Sequence, residues 1–391
     1  MSLIPPRSAW TVGLGTTLAF GNWGALPWII GAVVEGAGFR ADAAAFLGTV
    51  ELTVMGLSML VIAPLIPRLS RAKLAAVTLP IAVGAQFVSA YTSDYYTMMA
   101  VRALSGAAFG AIFSVATAEG ADAKEPDRAF AAASVIVMIC GILKSPLMGY
   151  SKQLFGYKGV FLALGGYYAL VGAPLLLLLF AAPPRTSRSQ PARPAGAAAG
   201  FPLLASVGVL MVMGAYSLAT GGVYAFIERV ATHAGLTASA LGRGFAVTAL
   251  IATLGGTAAA RLGLAWGRPI PTLGSLVVLG ALSVFVMSVS SIPAFWAGYI
   301  PWAIVYWFSY AYIMGLSVLV DPLGRLATVT SAVLILTGAA GAALAGVLTQ
   351  HRGLPSFGLA AGGICVLGAV AAGLVLRNRP EPVGTAVASV P

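Results

Sequence analysis

Residues 141–161 read GILKSPLMGYSKQLFGYKGVF, an apolar segment in which a lysine, a proline and spaced glycines occur together. Insertion scales put a charge near the centre of a bilayer at about 2.5 to 3.5 kcal/mol or more, so Lys144 must face a cavity, a partner or water rather than lipid. Pro146 removes a backbone donor and weakens the helix locally, while Gly141 and Gly149 let a neighbouring helix approach closely. The segment therefore reads as a membrane helix that bends and slides against its neighbours.

The rest of the chain agrees with a membrane setting. Of 391 residues 59% are hydrophobic and only 8% charged, and mean hydropathy is +0.94, whereas soluble domains carry about 25% charged residues. A spanning helix needs roughly 20 apolar residues. Twelve such segments are predicted, over 10–34, 44–66, 74–90, 97–118, 130–150, 160–181, 201–227, 244–262, 270–289, 294–318, 327–348 and 356–376. They leave no room for a separate soluble domain. The first apolar run, about 25 residues without a small-residue cleavage site, reads as a span and not as a cleaved leader.

The net charge of +11 does not point to nucleic acid, because the basic residues lie scattered in short loops instead of on one face. Fourteen of the 22 Lys and Arg fall on one side of the predicted spans, six on the other, and Arg102 and Lys144 lie within them. The positive-inside rule then places both termini in the cytoplasm and the chain in a cytoplasmic membrane. Cys140 and Cys365 sit inside apolar spans as unpaired thiols, and His233 and His351 in predicted loops form no metal cluster. No His-Glu-x-x-His, Gly-x-Ser-x-Gly or phosphate-loop lysine pattern occurs, so neither an enzyme nor an ATP-driven machine is expected, and no cofactor.

Residues 182–200, rich in Pro, Ala, Ser and Arg, read as a flexible cytoplasmic linker. They divide the chain into an N-terminal six-helix bundle, 1–181, and a C-terminal bundle with a short tail, 201–391. The two halves look like copies. Ala63-Pro-Leu-Ile-Pro67-Arg68-Leu-Ser70 follows the second span as Gly256-Thr-Ala-Ala-Ala260-Arg261-Leu-Gly263 follows the eighth, and Glu125-Pro126-Asp127-Arg128 is echoed by Asp321-Pro322 and Arg325. Repeats of this kind, with a binding site between the halves, belong to proteins that open alternately to each side.

Several of these patterns carry a resemblance. Gly141, three residues, Ser145-Pro146, two residues and Gly149, followed by Phe155-Gly156-Tyr157-Lys158 and Phe161, resembles the fifth-helix signature of the major facilitator superfamily, with Ser145 in place of the usual glycine. Arg102, Gly106 and Gly110 at steps of four resemble its fourth-helix signature, and the loops around Arg68 and Arg261 its loop signature, though Pro67 and Ala260 stand where that signature has its acid. The resemblance implies a fold of twelve transmembrane helices in two six-helix bundles, an all-α polytopic protein working as a monomer by alternating access. It also implies that helices 1, 4, 7 and 10 line a central cavity and that the fifth-helix motif packs the halves together, as in drug-efflux antiporters. Arg68, Arg261, Pro146, Gly141 and Gly149 are gating candidates on this basis, although the two arginines also read as simple topology anchors.

Residues with chemistry are few. Glu51 is the only acid within a predicted span, at a depth close to that of Arg102, and either forms a static pair with it or titrates as a proton carrier. Arg102 either faces the cavity or snorkels to the interface. Two cations against one anion favour a carboxylate or phosphate substrate. Phe295, Tyr299, Trp302, Tyr306 and Tyr310 make one helical face that packs on neighbours or stacks on a substrate. Asn22, Trp23, Tyr216, Thr220 and Tyr224 are expected to face the same space, whereas Glu228 and Arg229 read as solvated or gate residues at a helix end. The expectation is a secondary transporter of a small organic anion, probed against two rivals, a proton-coupled drug efflux antiporter and a membrane sensor without transport.

Overall fold

The computed structural model describes residues 7–123, 126–181, 203–263, 265–320 and 325–377. Among them are eleven α-helices and one 3-10 turn: α1 (Arg7–Gly36), α2 (Ala41–Ile62), the turn Ala63–Arg68, α3 (Arg71–Tyr91), α4 (Tyr95–Ala121), α5 (Pro126–Phe180), α6 (Leu203–His233), α7 (Ala238–Leu262), α8 (Pro269–Val286), α9 (Ile292–Val320), α10 (Arg325–Arg352) and α11 (Leu354–Arg377). The predicted linker at 182–200 lies outside the described residues, as do Glu125 and Asp321 of the repeated motif.

Of the expected twelve helices, the fifth and sixth are joined end to end at one residue. The fifth and sixth predicted spans run together as α5, interrupted only by Gly156 at φ 60°, ψ −145°. That left-handed backbone is open to glycine and strained for other residues, so the chain bends there without a loop and α5 has two arms, 126–155 and 157–180. The intervening SKQLF lacks a breaker, and helical hydrogen bonds continue through it. Elsewhere Pro64 and Pro67 end α2 early in a 3-10 turn, and Thr237, whose hydroxyl accepts from the Ala240 N–H at 3.4 Å, starts α7 six residues before the expected 244.

Each bundle is held by small residues. A Cβ on Gly106 would overlap the Glu51 carbonyl and one on Gly110 the Met55 carbonyl, so α4 lies against α2 at backbone distance, the small-xxx-small packing that works where lipid offers no hydrophobic drive. Ser58 seals the contact by donating to the Ala107 carbonyl at 2.7 Å. In the second half Gly221 and Gly341 let α6 and α10 approach in the same manner.

The two bundles meet at one end, where α1 turns into α2, referred to below as the sealed end. Thr49 of α2 donates to the Ala339 carbonyl of α10 at 2.8 Å, and the Ala41 N–H donates to Gln350 at 2.9 Å. Gly149 of α5 faces Ala238 and Gly242 of α7, and Gly242 in turn faces Ser145 and Pro146. Pro146 and Gly149 therefore lie on the seam between the halves. Gly141 does not: a Cβ there would meet nothing within 4 Å.

Candidate functional site

The close contact of α2 with α4 brings Glu51 beside Arg102. Both are buried, with side-chain exposures of 3% and 0%, and Arg102 Nη1 lies 3.3 Å from Glu51 Oε1. The guanidinium also donates to Gln86 Oε1 at 3.1 Å, to the Ala85 carbonyl at 3.1 Å and to the Ser89 hydroxyl at 2.6 Å, with Phe161 5.4 Å away under its plane. Arg102 thus does not snorkel; it is enclosed by its own bundle. Asn22 of α1 donates to Glu51 at 2.5 Å and accepts from the Tyr168 hydroxyl at 2.5 Å. Ser105 accepts from both Asn22 and Gln86.

Trp23, the next residue, points the other way. A Cβ on Gly338 of α10 would strike its ring, so neighbouring side chains on α1 serve opposite bundles, as a rotation of about 100° per residue requires. One residue on, Gly24 is bracketed from two sides. Tyr224 of α6 donates to its carbonyl at 3.0 Å, and a Cβ there would lie 2.8 Å from Lys144 Nζ. Lys144 is 6% exposed and donates to the Gly21 carbonyl at 2.7 Å. Among the described residues no carboxylate lies within ion-pair distance of it. Gly24 is where the two bundles and the buried ammonium come together.

The aromatic face of α9 is a stacked ladder. Ring centroids of Phe295 and Tyr299, Tyr299 and Trp302, Trp302 and Tyr306 lie 5.5, 6.0 and 5.6 Å apart with interplanar angles of 23°, 18° and 25°. Tyr216 of α6 continues it, 5.3 Å from Tyr306, and donates to the Tyr306 carbonyl at 3.0 Å. Such pairs contribute about 0.5 to 1.5 kcal/mol each beyond area burial, which fixes α9 on α6. Trp302 anchors the ladder to α8 by donating to the Ser283 hydroxyl at 3.0 Å. Thr220 is spent within its own helix, donating to the Tyr216 carbonyl at 2.8 Å.

At the opposite end Arg68 and Arg261 are exposed. It is Arg71, 8% exposed, that ties down the loop after α2, through Glu119 at 3.1 Å on α4 and Asp122 at 2.6 Å just past its end. In the second half Arg268 takes the matching part by donating to the Gly315 carbonyl at 2.9 Å.

Two functional candidates are not visible in the sequence. Glu228 is expected near a solvated helix end, but α6 runs on to His233 and leaves Glu228 only 1% exposed. Glu51 is therefore not the sole acid within a span. Lys152, which reads as a loop cation, lies on the first arm of α5 and pairs with Glu228 across the seam and with Glu35 of α1 at 3.0 Å. The one signal in the sequence is the absence of any breaker between residues 227 and 233. Beyond this cluster a cavity of about 690 Å3 is lined by Glu35, Arg229, Thr232, His233 and Gln350, among others.

Comparison with known proteins places the geometry. The family model described as Major Facilitator Superfamily matches residues 12–344. No curated protein matches the chain by sequence. Among solved structures, a bacterial homologue of the human lysosomal transporter Spinster in an inward-facing, unoccupied conformation superposes with a TM-score of 0.78 at 15% identity, covering 96% of this chain and 99% of that one. The nucleoside transporter NupG gives 0.66 at 14% identity over 95% and 100%. The human organic anion transporter MFSD10 gives 0.62 at 15% identity over 94% and 100%.

Proposed function

Because this chain belongs to the major facilitator superfamily, a family of membrane transporters, we propose that it is a secondary transporter moving a small organic anion of the carboxylate type across the cytoplasmic membrane by alternating access, coupled to protons. One observation carries the substrate class. Lys144 is a buried ammonium at the junction of the bundles, hydrogen-bonded to a backbone carbonyl and faced by no carboxylate among the described residues. A cation left without a counter-charge in a low-dielectric seam is costly, and an anionic substrate supplies the missing charge.

In this reading the carboxylate meets Lys144 beside Gly24, with Trp23 and Tyr224 at its flanks. The ladder of Tyr216, Tyr299, Trp302 and Tyr306 walls the site for the organic body, with the half-buried Tyr306 as its accessible ring and Thr220 in the same wall. Glu51 is the proton carrier. Its protonation releases the charge of Arg102, which with Asn22 then adds to the field on the substrate. Pro146 and Gly149 give α5 the freedom to shift along α7, with Gly141 one turn behind them. Arg68 and Arg261 anchor the cytoplasmic side, where the excess of positive loops places both termini. The protein acts as a monomer, since each chain carries both bundles.

The test is a thermal-shift screen of the purified protein against anionic, neutral and cationic metabolites. A ligand at a hundred times its Kd stabilises the folded state by about 2.7 kcal/mol. Carboxylates are expected to raise Tm in the native protein and in Lys144→Arg, and not in Lys144→Ala. A screen in which only cations stabilise overturns the substrate class. The aromatic ladder favours a second reading, efflux of hydrophobic compounds, for which stabilisation by neutral aromatics in Lys144→Ala would speak.

A further inference from the structure

The cluster at the sealed end has a property the substrate site does not need: two carboxylates from opposite bundles share one ammonium. Lys152 of the N-terminal bundle meets Glu228 of α6 across the seam, and within its own bundle it meets Glu35 at 3.0 Å. Glu228 is 1% exposed. One of its oxygens takes the Lys152 contact and has Thr232 Oγ1 at 3.5 Å. The other, Oε2, is buried without a hydrogen-bond partner, pressed on Gly31 of α1 so closely that a Cβ there would overlap it. The charged groups facing the carboxyl are Lys152 from α5, Glu35 from α1 and Arg229 on its own helix.

We propose that Glu228 is a proton-binding site distinct from Glu51, and that uptake of one proton there unties the two bundles at the sealed end. The proton adds to the orphan oxygen Oε2, and no other bond is made or broken. Neutral Glu228 no longer attracts Lys152, which keeps its own proton and its charge because Glu35 remains as its partner in the same bundle. The cross-seam tie is lost while the intra-bundle tie persists, so the ammonium changes allegiance at little cost to either bundle. Protonation of Glu51 would do nothing comparable, since Arg102 and Glu51 lie in one bundle. Water has a route to the cluster, for the cavity of about 690 Å3 at this end is lined by Glu35 and Arg229. The inference stands apart from the anion reading, because it is measured without substrate.

The experiment uses the full chain in lipid nanodiscs, with pH-difference infrared spectroscopy for the protonated carboxyl and hydrogen exchange, corrected for intrinsic rate, for the amides around Gly31 and Glu228. In the native protein a carboxyl band should grow and those amides lose protection as the medium goes from mildly alkaline to mildly acidic. Glu228→Gln should lack that band and show low protection at both pH values. Lys152→Gln should also be unprotected at both, with the Glu228 band retained, and it serves if Glu228→Gln fails to fold. Glu35→Gln should keep the pH response. Alkaline protection in Glu228→Gln or Lys152→Gln equal to the native protein, survival of the band in Glu228→Gln, or loss of the pH response only in Glu35→Gln would overturn the proposal.

Discussion

Replacing Arg102 by methionine separates the worth of a buried charge from that of the hydrogen bonds around it. The substitution keeps length and apolar volume but removes the guanidinium that faces Glu51 at 3.3 Å and donates to Gln86, Ser89 and the Ala85 carbonyl. Hydrogen bonds within membranes average about 0.6 kcal/mol, so those three arms together contribute roughly 2 kcal/mol. Stranding a buried carboxylate costs about 3 to 5 kcal/mol, which makes the charge the larger effect. Arg102→Met should therefore destabilise by more than about 3 kcal/mol, while Arg102→Met with Glu51→Gln should return to within about 2 kcal/mol of the native protein. Asn22 can hydrogen-bond a glutamine in place of the carboxylate, which helps the double variant. The assay is a double-mutant cycle on unfolding of the purified protein, with an expected coupling of at least about 3 kcal/mol. Strict additivity, with the double variant as unstable as the sum of the singles, would refute the view that the pair is one energetic unit.

Further tests address the seam and the helix starts. Gly149→Leu should wedge α5 from α7, because even a Cβ overlaps the Ala238 carbonyl, and transport in proteoliposomes should fall sharply. Gly141→Ala meets nothing within 4 Å and should leave Tm unchanged or raise it through the roughly 0.5 to 1 kcal/mol gain in helix propensity. At the start of α4, the Asp94 carboxylate accepts from the Thr97 N–H at 2.7 Å, and this backbone hydrogen bond holds its pKa below the usual aspartate value. The stabilisation is therefore present above the ordinary carboxylate range and lost as pH falls through the lowered value. The Thr97 amide, corrected for its intrinsic exchange rate, should lose protection on acidification, and Asp94→Asn should remove that pH dependence while keeping the cap.

Much of the chain is legible from patterns that act locally. Spans of apolar residues and the repeated loops operate within a few residues, and matching depths make a pair of Glu51 with Arg102 one of the readings, whereas Pro64 and Pro67 lie unread at the end of the second predicted span. Glycines at Gly106 and Gly110 announce the close approach of α4. What misleads is equally local. Apolar patterning ends the seventh span at residue 227 and makes Glu228 a surface acid, although no proline or polar run stops the helix there, and it places a loop where Gly156 alone turns the chain. The same uncertainty of a turn or two at helix ends hides Lys152.

The membrane class and the scarcity of intramembrane charge were determined by the sequence alone, because a bilayer enforces them through the cost of burying any unpaired polar group. Which charges meet was decided only by tertiary structure. Asn22 and Trp23 are adjacent in the chain yet serve opposite bundles, and Lys144, Lys152 and Glu228 acquire their distinct situations from where the two bundles touch. Contacts between residues as far apart as Lys152 and Glu228 depend on the packing of whole helices, which no short window of sequence contains.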